Sequence, residues 1–205
     1  MGDALMIQRL TRLFAHLLGY KDLDTANHCA SVESLCVDVA RRLDWDDATI
    51  ERLRLAAVLH DIGKVGIPDF VLLRRGALTE IQLRVAQAHV IIGEGIVRDF
   101  IDGENDDIAA AVRSHHENWD GTGYPDGLSG KSIPPMARII RAVDTYLAMV
   151  RDRPYSRART HVQAEHELML GRGARYEPAV VDALIQIVFA NNRRAAELGE
   201  EPPKE

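Results

Sequence analysis

Apolar residues recur every three or four positions along most of this chain, with polar residues between them. That spacing places apolar side chains on one face of an α-helix. No stretch alternates apolar and polar residues for long enough to require a β-strand, so the pattern predicts an all-α fold, a single helical bundle. The predicted helices comprise Leu5 to Leu18, a stretch with Val32, Leu35, Val39 and Leu43, one with Ile50, Leu53, Ala57 and Val58, one with Leu83, Ala86, His89 and Val90, residues 108–116, a stretch ending at Val150, and one with Val181, Leu184, Ile185 and Val188.

Capping residues mark the ends of several of these helices. Asp24 or Thr25 can cap the second helix, and Asp47 can cap the third. Thr79 and Gln82 have the spacing of a capping box, which predicts a helix start at that point. Prolines that suit a first helical turn open the last two predicted helices, at Ile133-Pro134-Pro135 and at Glu177-Pro178.

The helical pattern divides the chain into three parts. Residues 22–190 form the predicted domain, and 205 residues are enough for one full hydrophobic core. Residues 1–21 form an N-terminal helix that we expect to pair in a homodimer or to link to another domain, and residues 191–205 form a polar tail. The most irregular part is the glycine-rich segment 118–133, which is predicted to be a loop that shapes a pocket.

Composition and charge exclude some classes of protein. The formal net charge is −6, so we expect no sequence-independent binding to nucleic acid. No apolar run is long enough to span a bilayer, and the N-terminus lacks the basic start and apolar stretch of a secretory signal. A cytoplasmic protein with no membrane partner is the expectation. A small anionic substrate stays compatible with the charge, because bound metal ions dominate the field inside a site.

The two cysteines, Cys29 and Cys36, lie seven residues apart on one predicted helix. Seven residues is about two helical turns, so both side chains fall on roughly the same face. A disulfide across that spacing is geometrically poor, and we expect two small buried residues.

One polar doublet, His60-Asp61, is predicted to lie inside an apolar helix, directly after the run Leu55–Leu59. Burying an imidazole and a carboxylate together is costly unless both are satisfied. The imidazole and the carboxylate can hold one divalent cation, and the carboxylate can bridge to a second cation. The doublet therefore predicts a metal site.

Four further polar residues interrupt apolar helices: His89, His115, His116 and Asp144. A single histidine on a helix is more often a surface residue or a packed residue than a ligand, and the pair His115-His116 is equally consistent with either role. Asp144 favours a ligand role, because an ionised carboxylate in a mostly apolar helix needs a cation. Taken together they favour one shared metal site, because a shared site satisfies all of them at once. Imidazole and carboxylate ligands without cysteine suit catalytic iron, manganese or zinc rather than a structural zinc site. A polynuclear site of this kind indicates hydrolysis of a phosphate ester.

At this point the sequence resembles a known family. Residues 60–69 read HDIGKVGIPD and residues 115–125 read HHENWDGTGYP, and both are similar to the signature motifs of HD-GYP domains, a branch of the HD phosphohydrolases. The match continues in order through IPP and ARI at 133–139, through Asp144, and through RPY at 153–155. The resemblance covers roughly Asp22 to Phe189.

The resemblance implies an all-helical, metal-dependent phosphodiesterase that hydrolyses cyclic di-GMP to pGpG, to GMP or to both. It implies two or three divalent ions, with iron or manganese expected and zinc or nickel as alternatives. Asp24 would serve a third ion, and a plain helix N-cap is its alternative role. By the same resemblance, the ligands of the first ion are His28, His60, Asp61 and Asp144, and those of the second are Asp61, His89, His115 and His116.

The mechanism implied by the resemblance is attack on phosphorus by a hydroxide held between the ions. Asp61 and Lys64 are the expected catalytic residues, and Lys64 would also bind the substrate phosphate as a compact positive charge. Tyr124 and Arg153 are expected to contact the substrate. Glu117 and Asp120 are candidates for residues that orient the ligand histidines.

The chain departs from the family pattern after Asp144. Leu147 stands where family members usually carry a second acid, Val150 stands where threonine is common, and Ser156 replaces a basic residue. These departures keep two alternatives open. One is a weakly active or non-catalytic module that binds a cyclic dinucleotide or a protein partner, and the other is a phosphohydrolase for another nucleotide. The resemblance also suggests diguanylate cyclases as partners, contacted through the Gly-Tyr-Pro loop.

Overall fold

The computed structural model of this chain describes residues 23–74, 76–100, 106–151 and 158–198. Within these ranges the ordered elements are helices, and the two isolated backbone bridges do not extend into a sheet. The predicted all-α class is therefore confirmed. The helix predicted from Leu5 to Leu18 lies outside the described residues.

Nine α-helices and two short 3₁₀ helices make up the described part of the chain. The 3₁₀ helices are Ile62–Gly66 and Gly130–Ser132. The α-helices are α1 (Leu23–Arg42), α2 (Asp47–Leu59), α3 (Asp69–Leu72), α4 (Glu80–Gln87), α5 (His89–Phe100), α6 (Asp106–Ser114), α7 (Pro135–Val150), α8 (His161–Gly171) and α9 (Pro178–Leu198). None of the described helices has both the length and the hydropathy needed to cross a bilayer.

The predicted helix starts agree with the structure to within a few residues. The capping box of Thr79 and Gln82 is confirmed. The cap of α2 is Asp46, whose side chain accepts from the backbone N–H of Thr49 at 3.0 Å, and not the predicted Asp47 one residue later. Helix α1 begins at Leu23, so the predicted caps lie inside its first turn.

Three helical segments differ from the sequence prediction. The single helix predicted through Leu83 and His89 is two helices that break at Ala88, and Leu83 is 47% exposed rather than packed in the core. Helix α9 continues past Asn191 to Leu198. Helix α8 was not predicted at all, although Thr160 and Gln163 form a second capping box at its start.

The hydrophobic core lies where α1, α2, α6 and α7 meet. Helix α1 packs along α2 and α7, helix α6 packs against α2, α5 and α7, and α8 and α9 cover the other side of α7. The packing buries the predicted apolar faces and leaves the polar residues at the helix ends near one another. Fully buried core side chains include Val32, Val39, Leu53, Ile108, Ile139, Ile140 and Leu184.

The 3₁₀ helix that follows the His60-Asp61 doublet lies directly against α5. A Cβ atom on Gly63 would lie 1.9 Å from the carbonyl oxygen of His89 and 2.5 Å from the backbone nitrogen of Gly93. These are backbone atoms that no side-chain rotation can move aside. Only glycine allows this approach, and the approach sets the distance between the doublet and His89.

We predict that Gly63→Ala destabilises the protein by about 1–3 kcal/mol or more, because the added methyl group forces α5 away from the 3₁₀ helix. Gly95→Ala is the matched control, since a Cβ at this helical position of α5 meets no atom within 4 Å. That control should be neutral or stabilising by up to about 1 kcal/mol. The measurement is the free energy of unfolding from urea titration in the presence of chelator. Equal midpoints for Gly63→Ala and the wild type would contradict the close approach.

Candidate metal centre

Helix ends and two helix interiors bring seven candidate ligands into a single buried cluster. The packing of α1, α2 and α7 supplies one side of the cluster, and the packing of α5 and α6 supplies the other. The side chains are His28 in α1, His60 and Asp61 at the end of α2, His89 at the start of α5, His115 and His116 just after α6, and Asp144 in α7. The doublet was expected inside a helix, but His60 is the C-terminal cap of α2 and Asp61 lies beyond it.

Three of the histidines are oriented by the same backbone contact. In each case ring Nδ1 lies 2.7 Å from the carbonyl oxygen three residues earlier in the chain. A carbonyl can only accept, so Nδ1 carries the proton and Nε2 is left as an acceptor for a metal ion. The three contacts join His60 to Ala57, His89 to Ala86, and His115 to Val112.

The ligand atoms fall into three overlapping groups, and within each group they lie within 4.8 Å of one another. His60 and His115 each belong to two groups, so the groups form one continuous cluster rather than separate sites. The groups are His28, His60 and Asp144; His60, Asp61 and His115; and His89, His115 and His116.

Asp61 lies between the two sides of the cluster. Its Oδ2 is 3.3 Å from Nε2 of His60, and its Oδ1 is 3.5 Å from Nε2 of His89. The two oxygens of one carboxylate thus face two different histidines. This is the arrangement that a carboxylate bridging two cations needs.

Several buried imidazole nitrogens in the cluster lack a hydrogen-bond donor, and this shows whether the site suits metal ions. Nε2 of His60 is buried and has no hydrogen-bond partner. Nε2 of His89 faces Nε2 of His115 at 3.4 Å, and both are acceptors because both Nδ1 atoms donate. Two lone pairs that point at each other in a buried site repel unless a cation or a proton lies between them. The donor set therefore fits divalent ions.

The carboxylates of the cluster stay ionised despite their burial. Burial alone would raise the pKa of Asp61, but the charges of Lys64 and His60 hold this pKa well below its usual range. Burial acts in the same direction on Asp144, where the hydrogen bond from His28 at 2.7 Å and the charge of His60 lower the pKa. Ionised carboxylates are the form that binds cations.

Burial keeps most of the histidines in the neutral form that binds metal. It lowers the pKa of His116 to about 3, and it also lowers the pKa values of His115 and His89. His60 differs, because burial is outweighed by the adjacent Asp61 carboxylate, which raises the His60 pKa. Metal binding at that imidazole therefore competes with a proton.

Lys64 donates to Oδ2 of Asp61 at 2.5 Å from its place in the 3₁₀ helix. Burial disfavours the charged ammonium, but the Asp61 carboxylate raises the Lys64 pKa above its ordinary value. Lys64 is therefore a permanent positive charge beside the cluster. The expected role of Lys64 as a contact for a substrate phosphate stays a prediction.

The Gly-Tyr-Pro loop folds onto the ligand histidines. The ring of Tyr124 stacks on His116, with centroids 4.8 Å apart and planes at 21°, and burial raises the pKa of its hydroxyl. Glu117 is buried and accepts the backbone N–H of Asp126 at 2.7 Å, while Asp120 accepts from Thr122. These hydrogen bonds of Glu117 and Asp120 fix the loop itself and do not go to a ligand histidine, in contrast to the role expected from the sequence.

The remaining sequence candidates are settled only in part. The described part of the chain does not include the side chain of Asp24. It also does not include Arg153 or Ser156. Leu147 is 7% exposed and packs in the hydrophobic core, so its side chain does not enter the cluster. Cys29 and Cys36 are both buried, as predicted, and no disulfide joins them.

Arg141 was missed by the sequence analysis although it lies three residues before Asp144 on α7. That spacing puts both residues on the same face of the helix. Its Nε and Nη2 donate to Oδ1 of Asn118, and its Nη1 donates to Oγ1 of Thr145. The guanidinium thereby joins α7 to the start of the Gly-Tyr-Pro loop.

Comparison with known proteins places this fold and cluster in context. A cyclic di-GMP phosphodiesterase of Thermotoga maritima is 35% identical over 172 residues, which is 82% of this chain and 46% of that protein. A 3′3′-cGAMP-specific phosphodiesterase 3 of Vibrio cholerae is 36% identical over 156 residues, or 76% of this chain and 34% of that protein. The chain thus spans less than half the length of these relatives.

Solved structures and family models agree with this placement. Bd1817, an HDG"Y"P protein from Bdellovibrio bacteriovorus, superposes with a TM-score of 0.64 at 22% identity, over 79% of this chain and 51% of that one. At that identity the superposition shows a shared fold. A family model described as HD domain matches residues 8–180, which include the whole ligand cluster. The resemblance drawn from the two motifs is therefore confirmed, and this chain belongs to the HD domain family.

Proposed function

We propose that this chain is a metal-dependent phosphodiesterase that hydrolyses cyclic di-GMP. The observation that carries the proposal is the Asp61 carboxylate, which lies between two histidine groups with one oxygen toward each. A paired-cation site of this kind suits in-line displacement at phosphorus. The name of the Thermotoga maritima relative supports the choice of substrate.

The three ligand groups suggest how the ions would be held. His28, His60 and Asp144 would hold one divalent cation, and His89, His115 and His116 would hold a second, with Asp61 shared between them. Iron or manganese fits this imidazole and carboxylate set best, with zinc and nickel as alternatives. Asp24 would contribute if a third ion binds. When bound, the ions supply Lewis-acid stabilisation of phosphoryl oxygens and lower the pKa of water.

The side chains around the cluster prepare it for an anionic substrate. Backbone carbonyls hold His60, His89 and His115 in one tautomer, so the ligand atoms need no reorientation. Lys64 fixes the orientation of Asp61 and has further N–H groups to donate to a phosphate. The Tyr124 hydroxyl stays protonated at neutral pH because its pKa is raised, so it can donate to the substrate.

A second candidate substrate is the mixed cyclic dinucleotide 3′3′-cGAMP. The Vibrio cholerae relative named for that substrate is as similar to this chain as the Thermotoga maritima relative. Both substrates carry a guanine and two phosphodiesters, so the same cluster serves either one. Comparing turnover of the two compounds at equal concentration decides between them.

A non-catalytic binding module is the alternative that the sequence departures keep open. The burial of Leu147 in the core speaks against it, because this substitution leaves the ligand cluster intact. Chromatography of the products formed from cyclic di-GMP by metal-loaded protein distinguishes the phosphodiesterase from the non-catalytic module. Binding without cleavage would support the module and overturn the enzyme.

We predict that Asp61→Asn lowers turnover of cyclic di-GMP by at least roughly 100-fold and reduces the bound metal, because the neutral amide cannot bridge two cations. Asp38→Asn is the matched control, an exposed carboxylate on the same helix as His28. Elemental analysis and product chromatography are the measurements. Full metal content together with wild-type turnover in Asp61→Asn would contradict the bridging role.

We also predict that chelation lowers the melting temperature and that added Mn²⁺ or Fe²⁺ restores it in a concentration-dependent way. The ions would bind only the folded state, and removing them leaves the lone pairs of His89 and His115 facing each other. Thermal melts across a metal titration measure the effect. His89→Ala should show a smaller metal-dependent rise than the wild type. A melting temperature that does not respond to metal would exclude the proposed centre.

A further inference from the structure

Arg141 is held rigidly beside the ligand cluster by neutral partners. Three N–H groups of its guanidinium donate to Asn118 and Thr145, at 3.0 to 3.2 Å. Its charged carbon also lies 5.7 Å from the centre of the Tyr176 ring. An arginine has five N–H groups, so one on Nη1 and one on Nη2 have no acceptor among the described residues.

The charge of Arg141 is not neutralised within the described part of the chain. No carboxylate of the described residues lies within 4.0 Å of its guanidinium, although the side chain is partly buried. Arg138, one turn earlier on the same helix, shows the ordinary arrangement, with Nη1 3.0 Å from Glu177. A partly buried cation without a counter-charge is unfavourable, and a bound anion would remove the penalty.

Arg141 and Lys64 contact different residues around the ligand cluster. Lys64 donates to Asp61, next to the doublet. Arg141 bonds to Asn118 at the start of the Gly-Tyr-Pro loop, and its charge acts to lower the pKa values of His116 and Tyr124. An anionic substrate on the cluster would therefore lie near two fixed cations that are held by different partners.

We propose that Arg141 binds the phosphodiester of a cyclic dinucleotide that is not being cleaved. This inference rests on the proposed function, because it assumes a substrate with two phosphodiesters. The metal ligands and Lys64 serve the phosphodiester that reacts, and the second phosphodiester carries a full negative charge that must also be satisfied. The planar, oriented N–H groups of Arg141 match phosphate oxygens in geometry and charge.

The test is Arg141→Gln, which removes the charge and keeps a polar side chain that can reach Asn118. Two substrates are compared: cyclic di-GMP, and the linear dinucleotide GpG, which has both guanines but only one phosphodiester. We expect the KM for cyclic di-GMP to rise roughly 10- to 100-fold with little change in kcat, because the lost contact is equal in ground and transition states. The KM for GpG should change less than about threefold.

Two further variants test whether the effect depends on the position and the charge of Arg141. Arg41→Gln removes another arginine without a carboxylate partner among the described residues, at the exposed far end of α1, and should leave both KM values unchanged. Arg141→Lys restores the charge and should recover part of the affinity for cyclic di-GMP. Metal content and melting temperature of Arg141→Gln should match the wild type, which shows that the metal centre has formed.

Three results would overturn the proposal. An equal rise in KM for cyclic di-GMP and GpG would show that Arg141 contacts a guanine or supports the loop, and does not bind the second phosphodiester. Unchanged KM and kcat of Arg141→Gln on cyclic di-GMP would show that Arg141 does not contact the substrate. A loss of kcat that follows a loss of bound metal would instead show that Arg141 supports the metal centre. Failure of the wild type to cleave either compound would count against the proposed function alone. In that case calorimetric titration measures the binding of cyclic di-GMP and GpG to the wild type and to Arg141→Gln. A loss of affinity for cyclic di-GMP alone would support the proposed role of Arg141, and an equal or absent loss for both ligands would overturn it.

Discussion

Everything in this molecule depends on the crowding of imidazole lone pairs and ionised carboxylates into one buried cluster. Helix packing forces Nε2 of His89 to face Nε2 of His115 at 3.4 Å, and it buries Nε2 of His60 without a partner. Such a cluster is unfavourable by itself, since each buried acceptor has given up its hydrogen bonds to water. The free energy that holds it together comes from the apolar core of α1, α2, α6 and α7. Divalent cations would satisfy all of these acceptors at once, which would couple stability and metal binding through the same atoms.

The geometry of the cluster follows from short-range backbone contacts. Each orienting carbonyl lies three residues before its histidine, so the tautomer is set locally at a helix end, before any long-range packing. Long-range packing then sets the distances between the rings. The close approach of Gly63 to the backbone of α5 is the main example, because it brings Asp61 within 3.5 Å of His89. A glycine without any polar group thus controls how far apart two metal ligands lie.

The sequence predicted those features that depend on local pattern, and it failed where the outcome depends on partners far away in the chain. The doublet at His60-Asp61, the capping box at Thr79 and the helix opened by Pro178 are all local. Helix α8 was missed because three of its large apolar residues face outward, which blurs the expected stripe, even though Thr160 and Gln163 signalled its start. The outward-facing residues are Val162, Met169 and Leu170. Arg141 was missed because its significance lies in the absence of a nearby carboxylate among the described residues, and no spacing along the chain can show what lies opposite a side chain in the fold.

The charges of the cluster also explain why the proposed anionic substrate is compatible with a protein that has a formal net charge of −6. Asp61 and Asp144 are ionised, and Lys64 and Arg141 supply the same number of positive charges beside them. His89, His115 and His116 are neutral because burial lowers their pKa values. The charges of the ligands and of the two nearby cations therefore nearly cancel, and the charge of any divalent ions that bind would be left for the proposed substrate. A compound with two phosphodiesters would make fuller use of that charge than one with a single phosphodiester, because its second anion would lie beside Arg141, which has no carboxylate partner among the described residues.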